Sequence, residues 1–179
     1  MKYLIMTEGT CEKALLDILL ERNMLIYDYF DLLYQQVFCA RQIDNRLLEM
    51  INQLPYDEKL TIIRIGDKLS DKLDVTDVEG RLAGCFKICI KPEFEILHTI
   101  NDDLFDEFIK QKSKKTVSSF YAEHNQNYKK TYKCNQVYFE EMANGQLIDL
   151  IKEYEHKRAH THRKDELTLL SILKDSKLN

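Results

Sequence analysis

Short, uninterrupted apolar runs, each ended by a charged or turn-forming residue, constrain this chain more than any other feature. Tyr3-Leu4-Ile5-Met6-Thr7 does not alternate apolar with polar residues, which is the pattern of a strand buried on both faces, and Glu8-Gly9-Thr10 breaks it. Leu60-Thr61-Ile62-Ile63-Arg64-Ile65 repeats the pattern and stops at Gly66-Asp67. Phe86-Lys87-Ile88-Cys89-Ile90 repeats it again and stops at Lys91-Pro92. Tyr34 to Ala40 reads as a further strand, second in chain order. Helices are expected between these runs. One spans Cys11 to about Arg22, with Thr10 as its N-cap and Ala14, Leu15, Ile18 and Leu19 on one face. Asn45 caps another over Arg46 to Leu54, which Pro55 stops, and a short one lies around Val78 to Gly84. From Glu93 onward the apolar spacing is helical only, as in Leu104, Phe105, Phe108 and Ile109. Alternating strands and helices predict right-handed β-α-β units. The expected fold class is therefore α/β: a small parallel sheet of about four strands flanked by helices, with a helical C-terminal extension. An α/β core over 1–100 and a basic helical extension over 101–179 would pack as one unit.

The chain has 179 residues, 44% of them hydrophobic and 31% charged, which fits one globular domain and excludes a disordered or fibrous chain. No apolar run reaches the ~18 residues that cross a bilayer, and the apolar stretch at the start is too short for a secretory signal. A cytoplasmic location and no membrane partner are expected. The five cysteines cannot all pair and form no C-x-x-C, so they are expected to be reduced, with Cys85 and Cys89 in the core.

Ligands of parallel α/β sheets sit at the carboxyl ends of the strands. There the sequence places Glu8, with Glu12 four residues on, then Asp67 and Asp71, then Glu95. Carboxylates gathered on one rim repel one another unless a cation intervenes. Magnesium or manganese suits such oxygen donors and can activate water for phosphodiester cleavage. Glu8, Glu12, Asp67, Asp71 and Glu95 are thus candidate site residues on this rim. The ordinary role of such acids is to cap helices and form turns.

The segment Leu4-Ile5-Met6-Thr7-Glu8-Gly9-Thr10-Cys11-Glu12 resembles the opening motif of Toprim domains, especially those of overcoming-lysogenization-defect nucleases and related phage-defence proteins. Ile90-Lys91-Pro92-Glu93-Phe94-Glu95-Ile96-Leu97-His98 resembles the later "P-x-F-E … H" segment of the restriction-linked Toprim-like subgroup. The similarity covers roughly residues 1–100. It implies that Glu8 acts as acid, base or metal ligand, with Glu12 as a second catalytic candidate, and that acids after the third strand, a D-x-D in the family, bind the metal, which makes Asp67, Asp71 and Glu95 the candidate metal ligands. Here Leu69 stands two residues after Asp67 and the next acid is Asp71, so one ligand is missing or displaced.

The overall charge is 26 − 30 = −4, yet residues 110–134 hold seven lysines against Glu123 alone. That segment is +6 and the rest of the chain −10, which points to a polyanion partner at one place. Lys112, Lys114, Lys115, Lys129 and Lys130 are candidate nucleic-acid contacts, interleaved with Phe120, Tyr121, Tyr128 and Tyr132, whose rings could stack on unpaired bases. The alternative is a helical pair with aromatics inward and lysines in water. A second basic cluster supplies Arg158, His160 and Arg163 as phosphate contacts. His98, three residues after Glu95, is read as a general acid, a ligand or a buried structural histidine. The expected function is a metal-dependent nuclease acting on RNA or DNA, an effector of anti-phage defence controlled by a sensor or ATPase protein partner. The alternative is a non-catalytic Toprim-fold subunit that binds nucleic acid or regulates a larger defence complex.

Overall fold

The structure is a computed structural model and describes residues 1–68, 70–158 and 167–174. Strands β1 (Lys2–Thr7), β2 (Phe38–Cys39), β3 (Leu60–Gly66) and β4 (Leu82–Cys89) form one sheet, all parallel, in the order β2-β1-β3-β4. The chain is thus an α/β protein with a helical C-terminal part, as its apolar runs predicted. The β1 and β3 runs are unbroken because both faces are covered. Ile5, Ile63 and Ile65 enter a core with Leu15, Ile18 and Leu19 of α1 (Thr10–Glu21). On the opposite face Leu4, Met6, Leu60 and Ile62 pack with Leu47 and Ile51 of α2 (Asn45–Asn52). The link through α1 carries the chain from β1 to β2 on one side. The link through α2 then crosses to β3 on the other side of β1, so the winding direction reverses between β1 and β3.

Helices α3 (Ile96–Asn101), α4 (Phe105–Gln111), α5 (Val117–His124), α6 (Tyr132–Glu140) and α7 (Asn144–Arg158) enlarge the α1-side core. Phe94, Phe108, Phe120, Phe139 and Tyr154 join it, with α6 alongside α1 and α7 alongside α3. The C-terminal helices therefore cover the outer face of α1, which a sheet-and-helix core alone would leave wet. No helix among the described residues is long and apolar enough to cross a membrane.

Local details depart from expectation for identifiable reasons. Tyr34 and Gln35 have φ of 49° and 56°, a turn geometry that no strand tolerates, so β2 begins only at Phe38. Thr10 is already helical, and the extended residue before it, Gly9, is the N-cap. Asp44 rather than Asn45 caps α2, its carboxylate accepting the Leu47 N–H at 2.8 Å. The expected helix around Val78 to Gly84 is a 3-10 segment over Thr76–Arg81, because β4 starts at Leu82. As an edge strand, β4 leaves Cys85 and Phe86 exposed. Cys85 is therefore not a core residue, whereas Cys89 is, and all five cysteines are free.

Candidate functional site

In open parallel sheets the point where the winding reverses, here between β1 and β3, marks a crevice at the carboxyl ends of the strands, and three acids meet there. The Glu8 N–H donates to the Ile65 carbonyl at 2.9 Å, which extends the ladder one residue past β1 and fixes the Glu8 backbone beside β3. The Glu8 carboxylate lies against Gly66, where a Cβ would collide with it. Glu8, Asp67 and Asp71 each offer a carboxylate oxygen, all within 4.8 Å of one another. Asp71, which the sequence puts beyond the usual D-x-D spacing, returns to the cluster because Arg64 holds its backbone. Arg64 Nη1 donates to the Asp71 carbonyl at 2.9 Å and Nη2 to the Arg41 carbonyl at 3.1 Å.

Two cations complete the crevice. Lys87 stands opposite Arg64 in the β3–β4 register, and its Nζ donates to Glu8 Oε1 at 2.7 Å. Arg64 Nη2 lies 3.5 Å from the same oxygen. These are the residues that reading the sequence as strands and caps overlooks. A signal was present: an arginine inside the otherwise apolar Leu60–Ile65 run needs a buried partner, and Arg64 is only 3% exposed. Lys87 carried a weaker form of the same signal within Phe86–Ile90.

Chemically, the cluster offers hard oxygen donors that solvent reaches from one side: the Glu8 side chain is 9% exposed, Asp67 is partly buried and Asp71 is exposed. That donor set fits a divalent magnesium or manganese ion. Three carboxylates against two cations leave one net negative charge in the crevice.

The other two candidate acids stand outside this cluster. Glu95 is fully buried and does not reach the cluster. Its carboxylate accepts from Tyr128 Oη at 2.9 Å and Ser118 Oγ at 3.4 Å, and Lys130 Nζ lies 2.9 Å from Oε1. With its oxygens taken by donors, Glu95 anchors the C-terminal helices rather than a metal. Glu12 folds back over Gly9, within electrostatic reach of both Glu95 and Glu8. Burial raises its pKa above the ordinary 4.5, and the negative charges of Glu95 and Glu8 push the same way, so protonation comes more readily there. Beside it, burial pushes the Cys11 thiol up to about 11, which keeps it unreactive.

His98 belongs to the interior. It is ringed by Phe94, Tyr121, Tyr128, Tyr138 and Phe139. Asn135 Nδ2 donates to the Thr131 carbonyl at 2.8 Å and to Cys11 Sγ at 3.2 Å, so its Oδ1 is the acceptor toward His98. His98 Nε2 therefore donates that 2.7 Å bond, and the neutral ring carries its proton there. Burial lowers the pKa of His98 below the ordinary 6.5, which fits a structural residue.

The basic residues divide as well. Lys112, Lys114 and Lys129 are exposed, while Lys115 pairs with Glu123 and Lys130 with Glu95. Arg158 is 6% exposed and turns inward, donating to the Cys89 carbonyl at 2.6 Å and Tyr154 Oη at 2.8 Å. His160 and Arg163 lie outside the described residues. The interleaved aromatics are not stacking platforms: Phe120 and Tyr121 are fully buried, Tyr128 bonds Glu95, and Tyr132 donates to Asp17 at 2.8 Å. Helical packing takes them because α5 and α6 have few other large apolar groups to bury. No family model, curated protein or solved structure matches this chain.

Proposed function

We propose that this protein is a metal-dependent phosphodiester hydrolase of the Toprim kind that acts on nucleic acid. The convergence of Glu8, Asp67 and Asp71 in the β1–β3 crevice carries this proposal. Asp67 and Asp71 would hold magnesium or manganese, which when bound supplies Lewis acidity toward a phosphate oxygen and acidifies coordinated water. Glu8 positions the attacking water and accepts its proton. Arg64 holds both the Glu8 carboxylate and the Asp71 backbone in place. The Lys87 ammonium, 2.7 Å from Glu8, stands where it can meet charge developing on the phosphate. The biological role that goes with this chemistry is an anti-phage effector, held in check by a sensor or ATPase partner.

One observation favours a second function. Lys87 and Arg64 already offset much of the carboxylate charge, which weakens the demand for a metal and suits a non-catalytic subunit that binds nucleic acid or regulates a larger complex.

The deciding experiment incubates purified protein with transfer RNA, single-stranded RNA, and single- and double-stranded DNA. Magnesium, manganese or a chelator is added, with Glu8→Gln in parallel. Cleavage that needs both metal and Glu8 is expected. No cleavage, together with no magnesium-dependent rise in melting temperature, moves the assignment to the second function.

A further inference from the structure

A groove of about 920 Å³ opens at the carboxyl end of the sheet beside β4, outside the carboxylate cluster. Its walls are the segment after β4, the turn between α4 and α5, and the last turn of α7. Phe105, Phe108, Ile109 and Val117 supply an apolar floor, and Ile109 is 39% exposed. Lys91, Lys112, Lys114, Lys115 and Lys157 surround it, against one lining acid, Glu93. That acid is already engaged, accepting the Ser118 N–H at 2.9 Å. Lys115 pairs with Glu123, and Lys157 lies 3.2 Å from Glu153 and 4.6 Å from the centre of the Phe105 ring. Lys112 and Lys114 are exposed and make no ion pair among the described residues.

Like charges crowded around a low-dielectric hollow repel one another and attract an anion. The floor selects further, because a small hydrated anion gains nothing from Phe105 and Ile109. A ligand that satisfies both features joins flat apolar faces to regularly spaced negative groups. Unpaired nucleic acid has that structure, whereas a duplex hides its base faces in the stack.

We propose that this groove seats a single-stranded stretch of nucleic acid, with bases against Phe105 and Ile109 and phosphates on Lys112, Lys114 and the facing lysines. The proposal deepens the hydrolase assignment and rests on it for the choice of nucleic acid over another apolar anion. The groove and the carboxylate crevice share the carboxyl rim of one sheet, so a strand held in the first can be presented to the second.

Binding is measured in chelator, without cleavage, by fluorescence anisotropy of a labelled strand of about a dozen nucleotides and of a matched duplex. The single strand is expected to bind at least tenfold tighter. Lys112→Gln with Lys114→Gln should weaken it about tenfold and flatten the slope of log K on log salt by about 1.4, the loss of two phosphate contacts. Ile109→Glu should weaken it with the melting temperature unchanged, since that side chain is already partly in water. Wild-type affinity in the double lysine variant overturns the proposal. So does duplex binding as tight as single-strand binding, or displacement of the strand by oleate or ATP at concentrations near the strand's own. Because no step needs metal or Glu8, failure of the hydrolase assignment reads out separately, as binding without cleavage.

Discussion

Glu8 and Glu95 both follow strands of the same sheet, β1 and β4, and each meets a lysine, yet their surroundings are opposite. Glu95 is fully buried, and donors from Tyr128, Ser118 and Lys130 occupy its oxygens. Glu8 shares a crevice with two further carboxylates, one of them exposed. A carboxylate whose lone pairs are all taken by protein donors ties elements together. One set among like charges, with an exposed carboxylate beside it, keeps the capacity to take part in a cation site. The number of donors aimed at an acid, rather than its place after a strand, separates structural work from chemical work.

Removing Glu95 tests that difference with the largest expected effect. Glu95→Ala strips a buried ion pair and leaves the Tyr128 and Ser118 hydroxyls without their acceptor. It should cost about 3 kcal/mol in urea unfolding and lower the melting temperature by about 10 °C. A loss below about 1 kcal/mol would mean that Glu95 does not anchor the helices. Gly66→Ala acts on the other acid, because the new Cβ must displace the Glu8 carboxylate. The cost to folding should be about 1 kcal/mol, since the tip of a glutamate can move, while metal-dependent cleavage falls at least tenfold because the base is displaced. Unchanged metal-dependent cleavage would show that Glu8 is not the base.

Two histidines of the C-terminal helices, His98 and His124, extend the contrast to pH. His98 has a pKa below 6.5 because of burial, so its contribution to stability is complete above 6.5 and is lost as pH falls from there through the lowered folded value. Exposed His124 has a pKa above 6.5, chiefly from its bond to the Phe120 carbonyl and then from Glu107. Its contribution is present below 6.5 and fades as pH rises through the raised folded value. Imidazole NMR titration should place the two on opposite sides of 6.5, and the reverse order would place His98 in solvent. Asp67→Asn should have the smallest effect on folding, within about 0.5 kcal/mol for a half-buried rim residue, and should abolish a magnesium-dependent shift in melting temperature. A shift that survives in Asp67→Asn would move the metal away from this crevice.

Much of the sheet was legible because its signal is local. Runs such as Leu4-Ile5-Met6 and Ile62-Ile63 permit little except a strand covered on both faces, and that requires parallel pairing with helices on either side. The acids following β1 and β3 were legible for the same reason, since an acid just beyond a buried strand must lie at its rim. The start of β2 was not, because the left-handed geometry at Tyr34 and Gln35 reflects how the chain turns back toward the sheet, not the apolar content of the segment.

By itself, then, the sequence determined the alternation of strand and helix, the α/β class, and the position of Glu8 and Asp67 at strand ends. Packing brought Lys87 to Glu8 across 79 residues of chain, and Tyr128 to Glu95 from 33 residues away. It also decided that Arg64 would draw Asp71 into the crevice and that the aromatics of α5 and α6 would turn inward. Periodicity and propensity act over a few residues and fix which face of an element is apolar. Which charge meets which carboxylate depends on strand order and register, and those are set only when the faces close on one another.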